Sequence, residues 1–393
     1  MMKRNFPSIV LCVGTMSLGW ALFPGVCQLL AADPTGTGTI PAVANATAVQ
    51  PQITELRGKA LEYLRTKGQA PDGSFSKAAG SGVTSFCTAA MLRSGLSADD
   101  PTVAKSLKFL ESNIQPDGGI YVADSLNKNY ETALAVMALA AANSDGRYKS
   151  QIAAADKFLK GLQWDETENA DQANVNYGGA GYGRKNRPDL SNTSFLIDAL
   201  RAAGNGPEDE NIQKALIFVS RCQNLESEHN TTPFAAKIND GGFYYTVANG
   251  GESFAAGSTP EGGLRSYASM TYAGLKSMVY AGLTKDDPRV KAALAWIEKH
   301  YDLDSNPGMG PDGLFYYYHT FAKTLHALEM DTVTDAQGVK HDWRAELVAQ
   351  LAKRQQADGS WVGDSKRWME TDPNLVTAYG LMCLAYAEKP ASK

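Results

Sequence analysis

The chain is poor in cysteine and in positive charge. Five cysteines in 393 residues do not make a disulfide framework, and Cys87 and Cys383 stand within the apolar helical patterns SFCTAAML and GLMCLAYA. They read as small buried hydrophobes rather than as nucleophiles or metal ligands. With 37 Lys and Arg against 42 Asp and Glu, the formal charge is −5. No basic field exists to attract a phosphate backbone, and no zinc-finger or Gly-rich phosphate-loop motif stands in for one, so nucleic acid is not an expected partner.

Long apolar runs are scarce as well. One lies near the start, where Lys3 and Arg4 precede an apolar stretch from Ile9 to Leu22, followed by QLLAAD from Gln28 to Asp33. Basic, apolar and small-residue regions in that order read as a signal peptide over residues 1–32, removed near Ala31 or Ala32. Gly14, Gly19 and Pro24 interrupt a run already short of the roughly 20 residues of a membrane span. The expectation is an exported protein, periplasmic or extracellular, with no transmembrane segment after cleavage. Removal of Lys3 and Arg4 takes the formal charge from −5 to −7. Residues 33–50, DPTGTGTIPAVANATAVQ, lack apolar periodicity and read as a flexible linker.

From residue 51 to 390 a repeat takes over, most visible at its turn. PDGSF occupies 71–75, PDGGIY 116–121, NDGGFYY 239–245, PDGLFYYY 311–318 and ADGSW 357–361, with NYGGAGYG at 176–183 as a degenerate member. Before each turn lies an amphipathic helical pattern with Lys, Arg and Glu on one side, most often ending in Gln. After it comes an Ala-rich helical pattern that is apolar around much of its circumference. The first helix is expected outside and half exposed, the second inside and closely packed. Asp-Gly permits positive φ at the turn, and the aromatic that follows folds back under the Gln. An open stack of six pairs needs polar caps at both ends. The last inner pattern, LVTAYGLMCLAYA, is as apolar as the middle ones, which favours closure into a single all-α domain, an (α/α)6 toroid.

Gln356 to Trp361 (QADGSW) and Gln69 to Phe75 (QAPDGSF) resemble the QW-type repeat of squalene and hopene cyclases and the related repeats of protein prenyltransferase β-subunits. DLSNTSFLIDAL from Asp189 and DPNLVTAYGLMCLA from Asp372 are further echoes, and the resemblance runs over about residues 52 to 388. It implies a toroid whose central cavity, in the enzymes, holds an isoprenoid chain. The family's catalytic motifs do not carry over. The DxDD acid motif at the start of an inner helix and the metal-binding DDxxD are absent, and Asp99-Asp100 and Asp286-Asp287 precede proline as helix starts do. His319 resembles the zinc histidine of the prenyltransferases in its setting. The preceding inner helix, however, offers Arg265, Ser266 and Tyr267 where Asp and Cys would stand, so neither zinc nor another cofactor is expected.

The toroid brings the N-termini of all six inner helices to one mouth, where helix dipoles make the potential positive. Alignment of the inner patterns on their last Leu puts Val83-Thr84, Tyr130-Glu131, Ser191-Asn192, Ser266-Tyr267, His319-Thr320 and Leu375-Val376 there. His319 is the candidate general base, with Glu131 or Asp189 to orient it. Tyr130, Asn192, Arg265, Tyr267 and Tyr318 are the candidate substrate contacts. The plainer alternative makes His319 a satisfied bridge between helices, Glu131 a cap and the tyrosines of 244–245 and 316–318 packing under turns. Three functions remain open: an enzyme or carrier for an isoprenoid or other long apolar ligand, a non-catalytic scaffold, and a glycan-processing enzyme using paired carboxylates.

Overall fold

A computed structural model describes residues 46–183, 186–257, 259 and 261–389; residues 1–32, read as a signal peptide, lie outside them. Thirteen α-helices follow in order among the described residues: α1 (Ala46–Tyr63), α2 (Gly82–Arg93), α3 (Pro101–Glu111), α4 (Lys128–Ala141), α5 (Lys149–Lys160), α6 (Leu190–Ala202), α7 (Glu210–Arg221), the short α8 (Ala235–Ile238), α9 (Ala268–Tyr280), α10 (Pro288–Lys299), α11 (Leu314–Ala327), α12 (Trp343–Arg354) and α13 (Pro373–Ala387). One two-stranded ribbon, Val333–Thr334 with Lys340–His341, precedes α12. No helix among these residues is long and apolar enough to cross a membrane. Helix α1 begins within the segment read as linker.

The inner helices pack in a closed cycle, α2 on α4, α4 on α6, α6 on α9, α9 on α11, α11 on α13 and α13 back on α2. Helices α1, α3, α5, α7, α10 and α12 lie outside them, so the all-α toroid is as the repeats imply. Asp100, Asp209, Asp287 and Asp342 cap outer helices by accepting N–H groups of the first turn, which is why acidic residues recur there. Cys87, Cys222 and Cys383 are buried and unpaired.

The repeat residues are the fastenings of the ring. Gln69 donates from Nε2 to the carbonyl of Gly73 in its own turn at 3.2 Å and to Thr102 of the next outer helix at 2.8 Å. Gln163 does the same to Gly178 and Asn211, and Gln223 to Gly241 and Arg289. Gln355 closes the circle, reaching Gly359 at 3.0 Å and Leu56 of α1 at 2.9 Å. Gly359 has φ +91°, and a Cβ there would stand 2.3 Å from the carbonyl oxygen of Lys59, so both conformation and contact require glycine. The residue after each turn donates its N–H to an inner-helix threonine: Phe75 to Thr84, Ile120 to Thr132, Ala180 to Thr193, Phe243 to Thr271 and Trp361 to Thr377, all at 2.9 to 3.1 Å.

The pair α10–α11 departs from this pattern. No polar loop separates PDG from its inner helix; α11 starts at Leu314 directly after Gly313, whose φ is +68°. Tyr316, Tyr317 and Tyr318 are therefore helical residues, not turn residues, and His319 sits in the second turn rather than at the helix start.

Candidate functional site

A cavity of about 220 Å³ opens at the mouth formed by the inner-helix N-termini. Tyr130 and Glu131 reach it from α4, Ser191 and Phe195 from α6, Tyr316 from α11, and Leu375 and Tyr379 from α13, while Tyr267 enters just ahead of α9. Tyr182, Tyr245, Phe254 and Trp368 come from the connecting loops. Nine aromatic rings thus form most of the wall, and no Lys, Arg or His among the described residues lines it. Their hydroxyls are largely spoken for: Tyr130 bonds Tyr379, Tyr316 meets Ser191 Oγ at 3.0 Å, and Tyr182 bonds Tyr245.

Glu370 is the carboxyl on this wall with chemistry to spare. Its Oε1 accepts the N–H of Tyr316 at 2.8 Å, and the amides of Phe315 and Leu314 also point at the carboxyl, so it caps α11. Oε2 is buried without a hydrogen-bond partner. Burial pushes its pKa up to about 7 in spite of those amides, leaving a neutral carboxylic acid heavily populated at neutral pH. The turn that delivers it is strained: Trp368 and Met369 both adopt left-handed conformations, φ +50° and +62°, at about 1–2 kcal/mol each. That turn places the Trp368 ring over the mouth, 5.6 Å from Phe254. The same turn therefore presents an acid and an aromatic ring to one cavity.

Two further carboxylates stand near. Asp189 caps α6, with Oδ1 accepting the N–H of Asn192 at 2.8 Å and Oδ2 its side-chain amide at 2.9 Å. Burial raises its pKa to about 6, and Tyr245 bonds it from the cavity side. Glu131 is fully engaged: Oε2 accepts Ser81 N–H at 2.8 Å, Ser81 Oγ at 2.6 Å and Val122 N–H at 3.0 Å, and Oε1 accepts the hydroxyl of Ser125. It clasps the α2 and α4 repeats together at the rim.

The sequence profile of the squalene-hopene cyclase C-terminal domain matches residues 70–254. Among solved structures, the type II terpene cyclase MstE from Scytonema superposes with a TM-score of 0.52 at 14% identity, over 85% of this chain and 98% of that one. The chain thus resembles the squalene-hopene cyclases over residues 70–254 and shares the terpene-cyclase toroid fold. A second MstE structure, with its substrate geranylgeranyl dihydroxybenzoate, has a TM-score of 0.50 at 14% identity, over 87% of this chain and 99% of that one. A family 88 glycosyl hydrolase from Bacteroides vulgatus also reaches 0.50, at 10% identity over 86% of this chain and 98% of its own. At these identities the likeness is one of fold. No curated protein matches the sequence.

In this terpenoid-cyclase-type toroid the residues singled out by sequence divide into two groups. Tyr130, Glu131 and Tyr267 line the cavity, and Asp189 and Asn192 stand directly behind it through Tyr245 and Tyr182. His319, Arg265 and Tyr318 lie elsewhere. His319 is one layer deeper, because α11 begins five residues before it; it is 2% exposed, and neither ring nitrogen has a hydrogen-bond partner. Burial, with Lys323 and Lys276 nearby, holds its pKa well below 6.5, so it is a neutral ring in an aromatic layer and orients no proton. Arg265 precedes α9 on the outside, beside Trp296 and His300 in a separate depression. Tyr318 is buried and donates to the Leu303 carbonyl at 2.5 Å.

Glu370, Phe195, Tyr379 and Trp368 are the site residues that sequence reasoning missed. The signal for Glu370 was slight: one acid after the apolar pair Trp368-Met369 in an otherwise polar loop. Tyr245 and Tyr316, read as packing, are cavity wall.

Proposed function

We propose that this exported toroid binds an isoprenoid chain in the aromatic cavity and transforms it by proton transfer from Glu370. The observation that carries the reading is a buried, raised-pKa carboxyl with one unpartnered oxygen on a wall of nine aromatic rings. The terminal torsion of a glutamate is broad, so its free oxygen can turn toward a bound chain. Donation of that proton to an alkene carbon forms a C–H bond and leaves a carbocation and a carboxylate. A pKa near 7 makes this a weak acid for carbon, so the step depends on stabilisation of the cation by the ring quadrupoles and by the new carboxylate. Loss of a proton from a neighbouring carbon completes an isomerisation or a cyclisation. The profile match to squalene-hopene cyclases and the isoprenoid substrate of MstE support the substrate class.

The test is incubation of the purified protein and of Glu370→Gln with prenyl alcohols and hydrocarbons, with products read by gas chromatography and mass spectrometry and binding by Trp fluorescence. Glu370→Gln should bind within about threefold of the parent and convert nothing, since the proton donor is the only group lost. Equal turnover by the two proteins refutes the role of Glu370. Binding without turnover in the parent identifies a carrier, and sugar release from a glycoside panel identifies the glycan-processing alternative.

A further inference from the structure

Beneath the cavity the barrel axis is closed in two layers that the chemistry above does not use. The deepest lining residues are Phe195, five positions into α6, and Tyr379, six positions into α13, which at 1.5 Å per residue puts the floor roughly 9 Å below the helix starts. There Phe86 of α2 packs against Tyr379 and His319 with ring centroids 4.9 and 5.2 Å apart, and His319 against Tyr379 at 5.6 Å. One turn lower, Asp198 Oδ2 accepts from Lys276 Nζ at 2.6 Å and meets Lys323 Nζ at 2.7 Å, tying α6, α9 and α11 together. All three side chains are buried. An apolar chain pushed into that layer would separate buried charges from their partners without offering any in return.

The walls carry a second restriction. Glu131 and Glu370 face the cavity, and among the described residues no cation does. Two described arginines at the rim are paired, Arg187 with Glu252 at 2.7 Å and Arg367 with Asp312 at 3.1 Å.

We infer that this floor and this lining set the substrate: an uncharged isoprenoid that places about two isoprene units inside the barrel and whose further units stay outside it. An extended isoprene unit spans about 5 Å, four carbon–carbon bonds foreshortened by their angles, so roughly 9 Å of depth holds two. A diphosphate head has no cation among the described residues to meet inside the cavity, and burying it unpaired against aromatic rings is unfavourable. The inference rests on the functional reading above, and its test separates the two.

The dissociation constants of prenol, geraniol, farnesol, geranylgeraniol and geranyl diphosphate for the full chain are to be measured by calorimetry. Affinity should rise at least about tenfold from the five-carbon to the ten-carbon alcohol as apolar surface is buried, then change by less than about threefold up to twenty carbons. Geranyl diphosphate should bind at least about tenfold more weakly than geraniol, since burying an unpaired charge is unfavourable. Phe195→Leu, with Phe195→Ala as a stronger form where it folds, should move the plateau toward fifteen carbons. Affinity that keeps climbing with every added unit, or a diphosphate that binds as well as the alcohol, overturns the inference and leaves the isoprenoid reading standing. Failure of every alcohol to bind overturns both.

Discussion

Asp198 offers a sharp test of how the barrel is held. It is the one acid between two buried lysines, and although burial alone would raise its pKa, Lys276 and Lys323 hold it below 3.8. Lys276, desolvated and beside Lys323, is itself pushed down to about 8. Asp198→Asn keeps the shape and removes the negative charge, leaving two ammonium groups facing each other in the core. Breaking a buried pair in this way costs about 3–5 kcal/mol; release of a proton by Lys276 relieves part of the repulsion, which places the loss near 3 kcal/mol. With an unfolding entropy of about 2.1 cal/mol/K per residue, a toroid of this length should lose roughly 4 °C in Tm. Differential scanning calorimetry at neutral pH reads this directly. The combined replacement Asp198→Leu, Lys276→Met and Lys323→Met should return to within about 2 °C of the parent, because apolar residues of similar volume replace a buried ionic cluster at little net cost. An Asp198→Asn protein melting within about 1 °C of the parent would refute the argument, since the acid would then be holding nothing.

Two further outcomes follow from the same geometry. Glu370 keeps its proton in the folded state up to about pH 7, whereas the unfolded chain releases it near 4.5, so its contribution to stability is present at low pH and is lost as pH rises through that window, by up to about 3 kcal/mol; urea melts from pH 4.5 to 8 should show Glu370→Gln with a flatter profile than the parent. Gln355→Ala removes the bond that closes the ring on Leu56 of α1 and the bond to Gly359 in its own turn, leaving two carbonyls short of a donor, which should cost about 2 kcal/mol, while Gln356→Ala next to it, exposed and bonded only to the carbonyl of Arg354, should change stability by less than about 0.5 kcal/mol.

The ring was legible because its fastenings are side chains with fixed partners. A glutamine that must bridge two carbonyls, an Asp-Gly turn pressed against the next outer helix and a small-residue inner helix recur in the sequence at recognisable places. The mouth was legible to the same extent: Tyr130, Asp189 and Tyr267 stand at inner-helix starts, where alignment put them. His319 was misplaced because the alignment ran on Leu328, which caps the end of α11; counted from Leu325 the same offset falls on Tyr316, which lines the cavity. Arg265 was misplaced because α9 begins only at Ala268, after a long loop that leaves the arginine outside. The sequence signal for Glu370 was too slight to assign it a role. Its role depends on two left-handed residues turning the chain back over α11, and neither Trp nor Met announces that conformation.

Gln355 and Leu56 lie almost three hundred positions apart in the chain, yet the bond between them repeats that between Gln69 and Thr102. Arg57 and Glu388, near the two ends of the described chain, pair at 2.7 Å. Four seams are therefore fastened by the same glutamine bridge, including the one between α12 and α1. In an open stack the end repeats fray first; here loss of any helix pair opens two seams at once, so the barrel should melt as a unit. By the same token a circular permutant joined across α13 and α1 and opened between two other pairs should fold to the same ring, with its mouth intact.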